Sequence, residues 1–134
     1  MWSGLAIDQD TDTLFVAPGN PGPDFVDKGR SGRNLYTNSL VALDISGDKP
    51  KIKWYYQIIQ NDTHDADPAM TPVLFEGQVN GQARQLVAIG DKAGNFVLLD
   101  RKTGEAVHRL VLSKQVGLDV QQTPSAASVA WPAS

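Results

Sequence analysis

VALDISGDKPKIKW, at residues 41–54, has a counterpart later in the chain, VLLDRKTGEAVHRL at residues 97–110. Each stretch starts as an apolar strand-like run that ends in Asp, passes through a Gly-containing turn and enters another strand-like run. An upstream pair, LFVAPGN at residues 14–20 and LVAIGDK at residues 86–92, is repeated in the same order. The sequence therefore predicts two copies of a four-stranded unit, roughly fifty or more residues long, which is the repeat typical of a β-propeller blade.

Eight strand-like runs are predicted, because they are rich in β-branched and aromatic residues and are bounded by Gly, Asn, Asp or Pro. No long window shows helical periodicity. The predicted fold class is all-β, with about two four-stranded antiparallel blades in an incomplete propeller. The first blade covers residues 1–60 and the second residues 61–112, and residues 113–134, rich in Ser, Ala and Pro, are predicted to be an irregular tail or linker. The predicted strands are residues 4–8, 14–17, 39–44, 51–57, 72–75, 85–89, 96–100 and 107–112.

The composition excludes several classes of function. The net charge of the 134 residues is −3, which gives no indication of binding to nucleic acid or to an anionic membrane. There are no cysteines, so disulfides, thiolate metal sites and cysteine nucleophiles are excluded. No apolar run is long enough to span a bilayer, and no signal peptide is visible at Met1. Because the residues after Met1 read as the entry to a strand, the chain is expected to begin inside a larger fold.

Two blades do not close a propeller ring. They leave edge strands and half-covered sheet faces exposed. The expected partners are therefore the remaining blades of a larger propeller or other copies of this chain.

The stretch QNDTHDADP, residues 60–68, packs three acids and a histidine into nine positions, and it suits a metal site, a catalytic base or a polar turn. A zinc site is disfavoured, since the other histidine, His108, lies in a distant strand. Paired carboxylates such as Asp62 and Asp65 are better suited to general-base chemistry or to calcium. The residues alone leave these alternatives open.

Two further loops carry candidate ligands. Asn20, in PGNPGP, places an amide oxygen on a rigid loop, and hard cations take such oxygens. Lys92 occupies the equivalent loop of the second repeat, where it is either a solvated surface charge or a binder of an oxyanion or carbonyl. In an up-and-down blade, these loops open on the same face as the loops that enter each blade. Asn20, Lys92, Asp65 and Trp2 are therefore expected on one face.

The acids of DQDTDT resemble the start of an EF-hand calcium loop. That loop requires Gly at its sixth position and Glu at its twelfth, but Thr13 and Gly19 stand there. The stretch is predicted to be a plain hairpin turn.

Several ordered motifs together resemble the quinoprotein alcohol dehydrogenases, eight-bladed propellers that use pyrroloquinoline quinone (PQQ) and calcium. The resemblance runs from Trp2 to about Leu112, and it rests on WSGLAID, GNPGPDF, NLYTNSLVALD, KWYYQ, NDTHDAD and GDKAGNFVLLDR. It also implies that the stretch ending in Trp54 is the family's tryptophan docking motif, which links neighbouring blades. His108 stands in the second copy where the tryptophan would be, so a weaker contact is expected there.

The resemblance implies a role for each candidate. Trp2 precedes Asn20 by eighteen residues, the family's spacing between the tryptophan that stacks under the quinone and the asparagine that binds calcium. Asp65 is implied as the catalytic base and a metal ligand, with Asp62 in a supporting position. Lys92 is implied as the contact to the quinone carbonyls. Where the family pattern has His and Trp before the base, this chain has Asn61 and His64, which leaves the substrate class open.

The activity that the resemblance implies is oxidation of an alcohol or sugar. Asp65 would take the hydroxyl proton, a hydride would pass to the quinone, and the electrons would leave to a cytochrome or membrane quinone acceptor. The full-length family is periplasmic. Because further calcium ligands and the quinone's upper cover would come from other blades, the segment is expected to be inactive alone. A non-enzymatic repeat protein, serving as a scaffold or as a self-assembling β-domain, remains the alternative.

Overall fold

The structure, a computed structural model, describes residue 1 and residues 3–112. The predicted tail at residues 113–134 lies outside the described residues. Within the described part there is no helix, and hence none that is long and apolar enough to cross a membrane. The chain forms two four-stranded sheets, each antiparallel with strands in sequence order. The first contains β1 (Ala6–Asp8), β2 (Thr13–Val16), β3 (Ser39–Asp44) and β4 (Lys51–Gln57); the second contains β5 (Val73–Val79), β6 (Gln82–Gly90), β7 (Asn95–Asp100) and β8 (Ala106–Val111). The all-β prediction, with blade-like antiparallel sheets, is confirmed.

The lengths of β5 and β6 correct the sequence prediction. Both strands were expected to stop short of the segment between them, but they continue as one hairpin until Val79 pairs with Gln82. The connection is only Asn80 and Gly81, whose φ angles are 51° and 77°. A two-residue turn with positive φ at both positions matches the twist of paired strands, and Asn-Gly is its preferred sequence.

The main core lies between the two sheets. Each sheet contributes a row of cross-strand neighbours to a single cluster of buried apolar side chains. Paired residues in a sheet share a face, so these rows define the faces that meet. The row of the first sheet is Ala6, Phe15, Ala42 and Trp54, and that of the second is Leu74, Val87, Leu99 and Ala106.

Trp54 joins the two sheets. Its indole Nε1 donates a hydrogen bond to the Arg101 carbonyl at 3.1 Å. The ring also lies on the following turn, where a Cβ added to Gly104 would come within 2.6 Å of two indole carbons. The ring of Phe15 packs beside it, with 5.8 Å between centroids. The contact between repeats that the motif predicted is therefore present.

A buried ion pair makes a second link between the sheets. Asp8 Oδ2, on β1, lies 3.2 Å from Arg101 Nη1 in the β7–β8 turn. Arg101 also donates hydrogen bonds to the Phe75 and Leu86 carbonyls, so its charge is held from both sheets. Asp8 Oδ1 accepts a bond from the Asp10 amide within the β1–β2 turn. The predicted hairpin turn is thus confirmed, and its first acid serves the interface between the sheets.

Candidate functional site

Three loops meet around one carboxylate, Asp67. One Asp67 oxygen accepts the backbone N–H of Asn20, and the other lies 2.8 Å from Lys92 Nζ. The Lys92 ammonium also lies 2.9 Å from Asp65 Oδ1, and the Lys92 amide donates to the Asp67 carbonyl. Asn20 comes from the β2–β3 loop, Asp65 and Asp67 from the β4–β5 segment, and Lys92 from the β6–β7 turn. The structure therefore brings Asn20, Asp65 and Lys92 together. Trp2, the fourth candidate, lies outside the described residues.

Asp67 is the site residue for which sequence reasoning predicted no role. Its side chain is only 1% exposed. Burial raises the pKa of Asp67, but hydrogen bonds from the Lys92 ammonium and the Asn20 amide outweigh burial and hold the pKa below its usual range. Asp67 is therefore a permanent anion at neutral pH. Its sequence signal was the spacing of two residues from Asp65, which a polar turn would show equally.

Lys92 is a fixed positive charge. Hydrogen bonds that the Lys92 ammonium donates to the carboxylates of Asp67 and Asp65 raise the pKa of Lys92 to about 12. A group with that pKa does not exchange protons with a substrate at neutral pH. Its contribution to the site is electrostatic.

The turn that carries Lys92 is itself organised by a carboxylate. Asp91 accepts hydrogen bonds from the backbone N–H and the side-chain amide of Asn95, at 2.9 and 2.7 Å. Burial raises the pKa of Asp91 in spite of these bonds. Arg109 in turn donates to the Asn95 side chain, which connects the turn to β8.

Asp65 is presented by an unusual backbone. Its φ is 54°, in the left-handed region where Asp and Asn are tolerated better than most residues. The amides of its two neighbours, His64 and Ala66, both donate to the buried carboxylate of Asp62. The Asp65 side chain is 39% exposed, so its carboxylate is within reach of a solvent-borne molecule.

The two histidines lie on different elements, His64 in the β4–β5 segment and His108 on β8. His64 lies next to Asp65, where its ring Nδ1 is 3.1 Å from the Thr63 hydroxyl. His108 is on β8, in register with Leu98 on the second sheet.

The oxygen donors suit a hard cation without completing its shell. Asn20 donates through Nδ2 to Asp24 Oδ1 and to the Pro21 carbonyl, so the amide oxygen is the atom that a cation would use. With Asp65 and Asp67 it makes a set of carboxylate and amide oxygens, the ligands that calcium takes in groups of six to eight. Among residues 1 and 3–112, no group of three or more His, Cys, Asp or Glu side chains is arranged to hold a metal ion. The Lys92 ammonium supplies the positive charge between the two carboxylates.

Comparison with known proteins identifies the family. Residues 1–123 match the sequence model described as the β-propeller domain of PQQ-dependent glucose, ethanol and alcohol dehydrogenases. The chain is 33% identical over 109 residues to a quinohemoprotein alcohol dehydrogenase of Comamonas testosteroni, covering 80% of this chain and 15% of that protein. It is 32% identical over 107 residues to the quinoprotein glucose dehydrogenase of Escherichia coli, covering 79% of this chain and 13% of the relative.

A solved structure agrees with the sequence matches. The crystal structure of the Comamonas testosteroni quinohemoprotein alcohol dehydrogenase superposes with a TM-score of 0.75 at 32% identity, over 83% of this chain and 17% of that one. The chain thus spans less than a fifth of the length of these relatives. It belongs to the family of PQQ-dependent dehydrogenases, as a segment of their β-propeller domain.

Proposed function

We propose that this chain supplies the catalytic base and part of a cation site to a PQQ-dependent dehydrogenase that oxidises an alcohol or sugar. The observation that supports the proposal is the continuous cluster of Asn20, Asp67, Lys92 and Asp65, assembled from three loops of two blades. A scaffold that only repeats the blade pattern does not need these side chains together. The relatives named above are an alcohol dehydrogenase and a glucose dehydrogenase, which supports this substrate class.

Asp65 is the proposed base. Of the two carboxylates in the cluster, that of Asp65 is accessible, whereas that of Asp67 is buried. In this role Asp65 accepts the proton of the substrate hydroxyl. Lys92, with a pKa of about 12, stays protonated, and its charge would stabilise negative charge that develops on an oxygen nearby.

Asn20 and Asp65 are the proposed residues that hold calcium, and Asp67 adds a third side chain with oxygen donors. When bound, PQQ and calcium supply a two-electron acceptor and a Lewis acid. Because calcium takes six to eight oxygens, the other ligands would come from blades that this chain does not contain. Trp2 is proposed to lie under the quinone ring. In isolation the chain is therefore proposed to be inactive.

The proposed partners are further propeller blades, or other copies of the chain, on the sheet faces that this structure leaves open. Ile7 and Ile52 on the first sheet, and Val73 and Phe75 on the second, are exposed apolar residues. Apolar faces of this kind mark contact surfaces. A cytochrome or quinone is the proposed electron acceptor, and the periplasm is the proposed compartment.

The test is a titration of the purified chain with calcium and then with PQQ, monitored by calorimetry and by tryptophan fluorescence. We expect weak calcium binding that is lost in Asn20→Ala and Asp65→Asn. Asp48→Asn removes an exposed acid of the β3–β4 turn and serves as the matched control. Binding that is equal in all four proteins would contradict the assignment. If the folded chain binds neither ligand, the proposed activity requires a longer protein with more blades.

A further inference from the structure

Asn38 contacts both loops that carry the proposed cation ligands. Its backbone N–H donates to the Gly19 carbonyl at 3.0 Å, and Gly19 directly precedes Asn20. Its side-chain Nδ2 donates to Asp62 Oδ2 at 2.9 Å and to the Ala66 carbonyl at 3.1 Å. Both amide protons are thus used on the segment that presents Asp65. The Asn38 side chain is completely buried.

Asp62 continues this connection to the backbone around Asp65. Its two carboxylate oxygens accept the His64 amide at 2.8 Å and the Ala66 amide at 2.7 Å. These amides precede and follow Asp65, whose own φ is 54°. A buried carboxylate that accepts three hydrogen bonds fixes the surrounding backbone, because breaking any of them would leave a buried polar group without a partner.

We propose that Asn38 and Asp62 are positioning residues, which set the separation of Asn20 and Asp65 before any cation binds. The inference rests on the proposed function, because it assigns a purpose to the spacing of those two residues. Neither Asn38 nor Asp62 is assigned to touch the substrate or the cation. Rigid placement of ligands favours binding, since the protein then does not have to order them at the moment of binding.

Gln57 provides a matched control. It is a buried amide at the end of β4, and its Nε2 donates to the Arg33 and Thr37 carbonyls at 2.8 and 3.1 Å. Like the side chain of Asn38, the side chain of Gln57 donates two hydrogen bonds. Those of Gln57 hold the β2–β3 loop, and neither reaches the segment at residues 62–66. The variants to compare are Asn38→Gly, which tolerates the φ of 50° at this position, and Gln57→Leu.

The experiment measures amide hydrogen exchange by NMR and calcium affinity by calorimetry in the full chain. We expect Asn38→Gly to accelerate exchange at His64 and Ala66 by about tenfold or more, because their acceptor loses its anchor. We expect its calcium affinity to fall by about tenfold. Gln57→Leu should lower the midpoint of unfolding while leaving these two amides and the affinity at wild-type values.

The outcomes separate this inference from the proposed function. If the amides of His64 and Ala66 exchange in Asn38→Gly at the wild-type rate, the positioning role is overturned, whatever the calcium affinity of the variant. Accelerated exchange with unchanged calcium affinity would also overturn it, and would leave the proposed function intact. If the wild-type chain binds no calcium, this chain alone does not form the proposed cation site, and the exchange comparison still decides whether Asn38 and Asp62 fix the segment. The pair Asn38→Asp with Asp62→Asn, which restores a hydrogen bond between positions 38 and 62 and keeps an acceptor for the His64 amide, should recover part of the His64 protection lost in Asn38→Asp alone.

Discussion

Asp65 reaches the site through a backbone conformation that few side chains tolerate. At a φ of 54°, Asn is accepted at least as readily as Asp, whereas a β-branched residue is strained. We expect Asp65→Asn to retain the stability of the wild-type chain and Asp65→Val to lose about 1–2 kcal/mol. Urea unfolding followed by circular dichroism measures both. Equal stability of the two variants would contradict the strained geometry. Because Asp65→Asn is expected to keep the wild-type stability, it is the better variant for testing Asp65 as the proposed base.

Lys92 sets the ionisation of Asp67. Without the Lys92 ammonium, the burial that raises the pKa of Asp67 would be opposed chiefly by the hydrogen bond from the Asn20 amide. We therefore expect Lys92→Gln to raise the pKa of Asp67 above the wild-type value, as measured by carboxyl ¹³C NMR titration. Lys53→Gln is the control, because Lys53 bonds to Thr11 and Thr13 in the β1–β2 turn instead. An unchanged Asp67 pKa in Lys92→Gln would mean that the ion pair does not form in solution.

The sequence located three members of the site but not its centre. Asn20, Asp65 and Lys92 could be predicted to converge, because blade topology places their loops at one end of the sheets. The role of Asp67 depends on a hydrogen bond to Asn20, 47 positions away, and on its burial. Neither the spacing of the acids nor their composition distinguishes a buried acid that joins three loops from a solvated one.

At the scale of elements, the β7–β8 turn depends on the absence of a side chain at Gly104. A Cβ there would meet the Trp54 ring at 2.6 Å, and φ is 72°. We expect Gly104→Ala to lower the free energy of unfolding by about 2–3 kcal/mol, from strain and displacement of the indole. Gly47→Ala, in the corresponding turn of the first repeat, has open space around its added Cβ and should change stability by less than about 0.5 kcal/mol. Urea unfolding compares the two, and equal losses would contradict the docking of Trp54.

Strand positions followed from the sequence to different degrees. β3 and β4 begin and end where they were predicted, at residues 39–44 and 51–57. The β5–β6 hairpin was underestimated, since polar residues flank its turn and weaken the alternation. The Asn80–Gly81 pair was the available signal, and it defines the turn through backbone geometry rather than hydrophobicity.

For the whole molecule, the Asp8–Arg101 ion pair makes the union of the two sheets dependent on pH. Burial raises the pKa of Asp8, but its hydrogen bonds to Arg101 and within the β1–β2 turn bring the pKa below the usual 3.8. A lowered folded-state pKa contributes stability that is present above about pH 4 and is lost as the pH falls through the folded-state value. Asp8→Asn should therefore be less stable than wild type at pH 7, by about 2 kcal/mol.

The difference in stability between wild type and Asp8→Asn should disappear in acid. We expect the two proteins to have the same urea midpoint once Asp8 is protonated in the wild type. Asp12→Asn, in the same turn but without a bond to Arg101, is the matched control and should follow the wild-type profile. A difference between wild type and Asp8→Asn that persists unchanged at pH 2 would show that the pair contributes through packing and not through charge.

The repeat pattern predicted what each sheet is, and the tryptophan motif predicted that the sheets touch. It could not predict the ion pair, because Asp8 and Arg101 are 93 residues apart and each also reads as an ordinary turn residue. Long-range polar contacts of this kind arise from how two finished sheets are oriented. That orientation is set by the two rows of apolar side chains that pack between the sheets, and no short stretch of the sequence encodes it.

The Trp54 contact can form only some time after Trp54 itself has been synthesised. Its acceptor, Arg101, lies 47 residues further along the chain. At about 5–20 residues per second, a ribosome takes about 2–9 s to add that many residues. For that interval the first repeat has all four strands but no surface on which to place its indole. Until the second repeat emerges, the Trp54 indole therefore lacks both the Arg101 carbonyl and the Gly104 turn that it contacts in the folded chain.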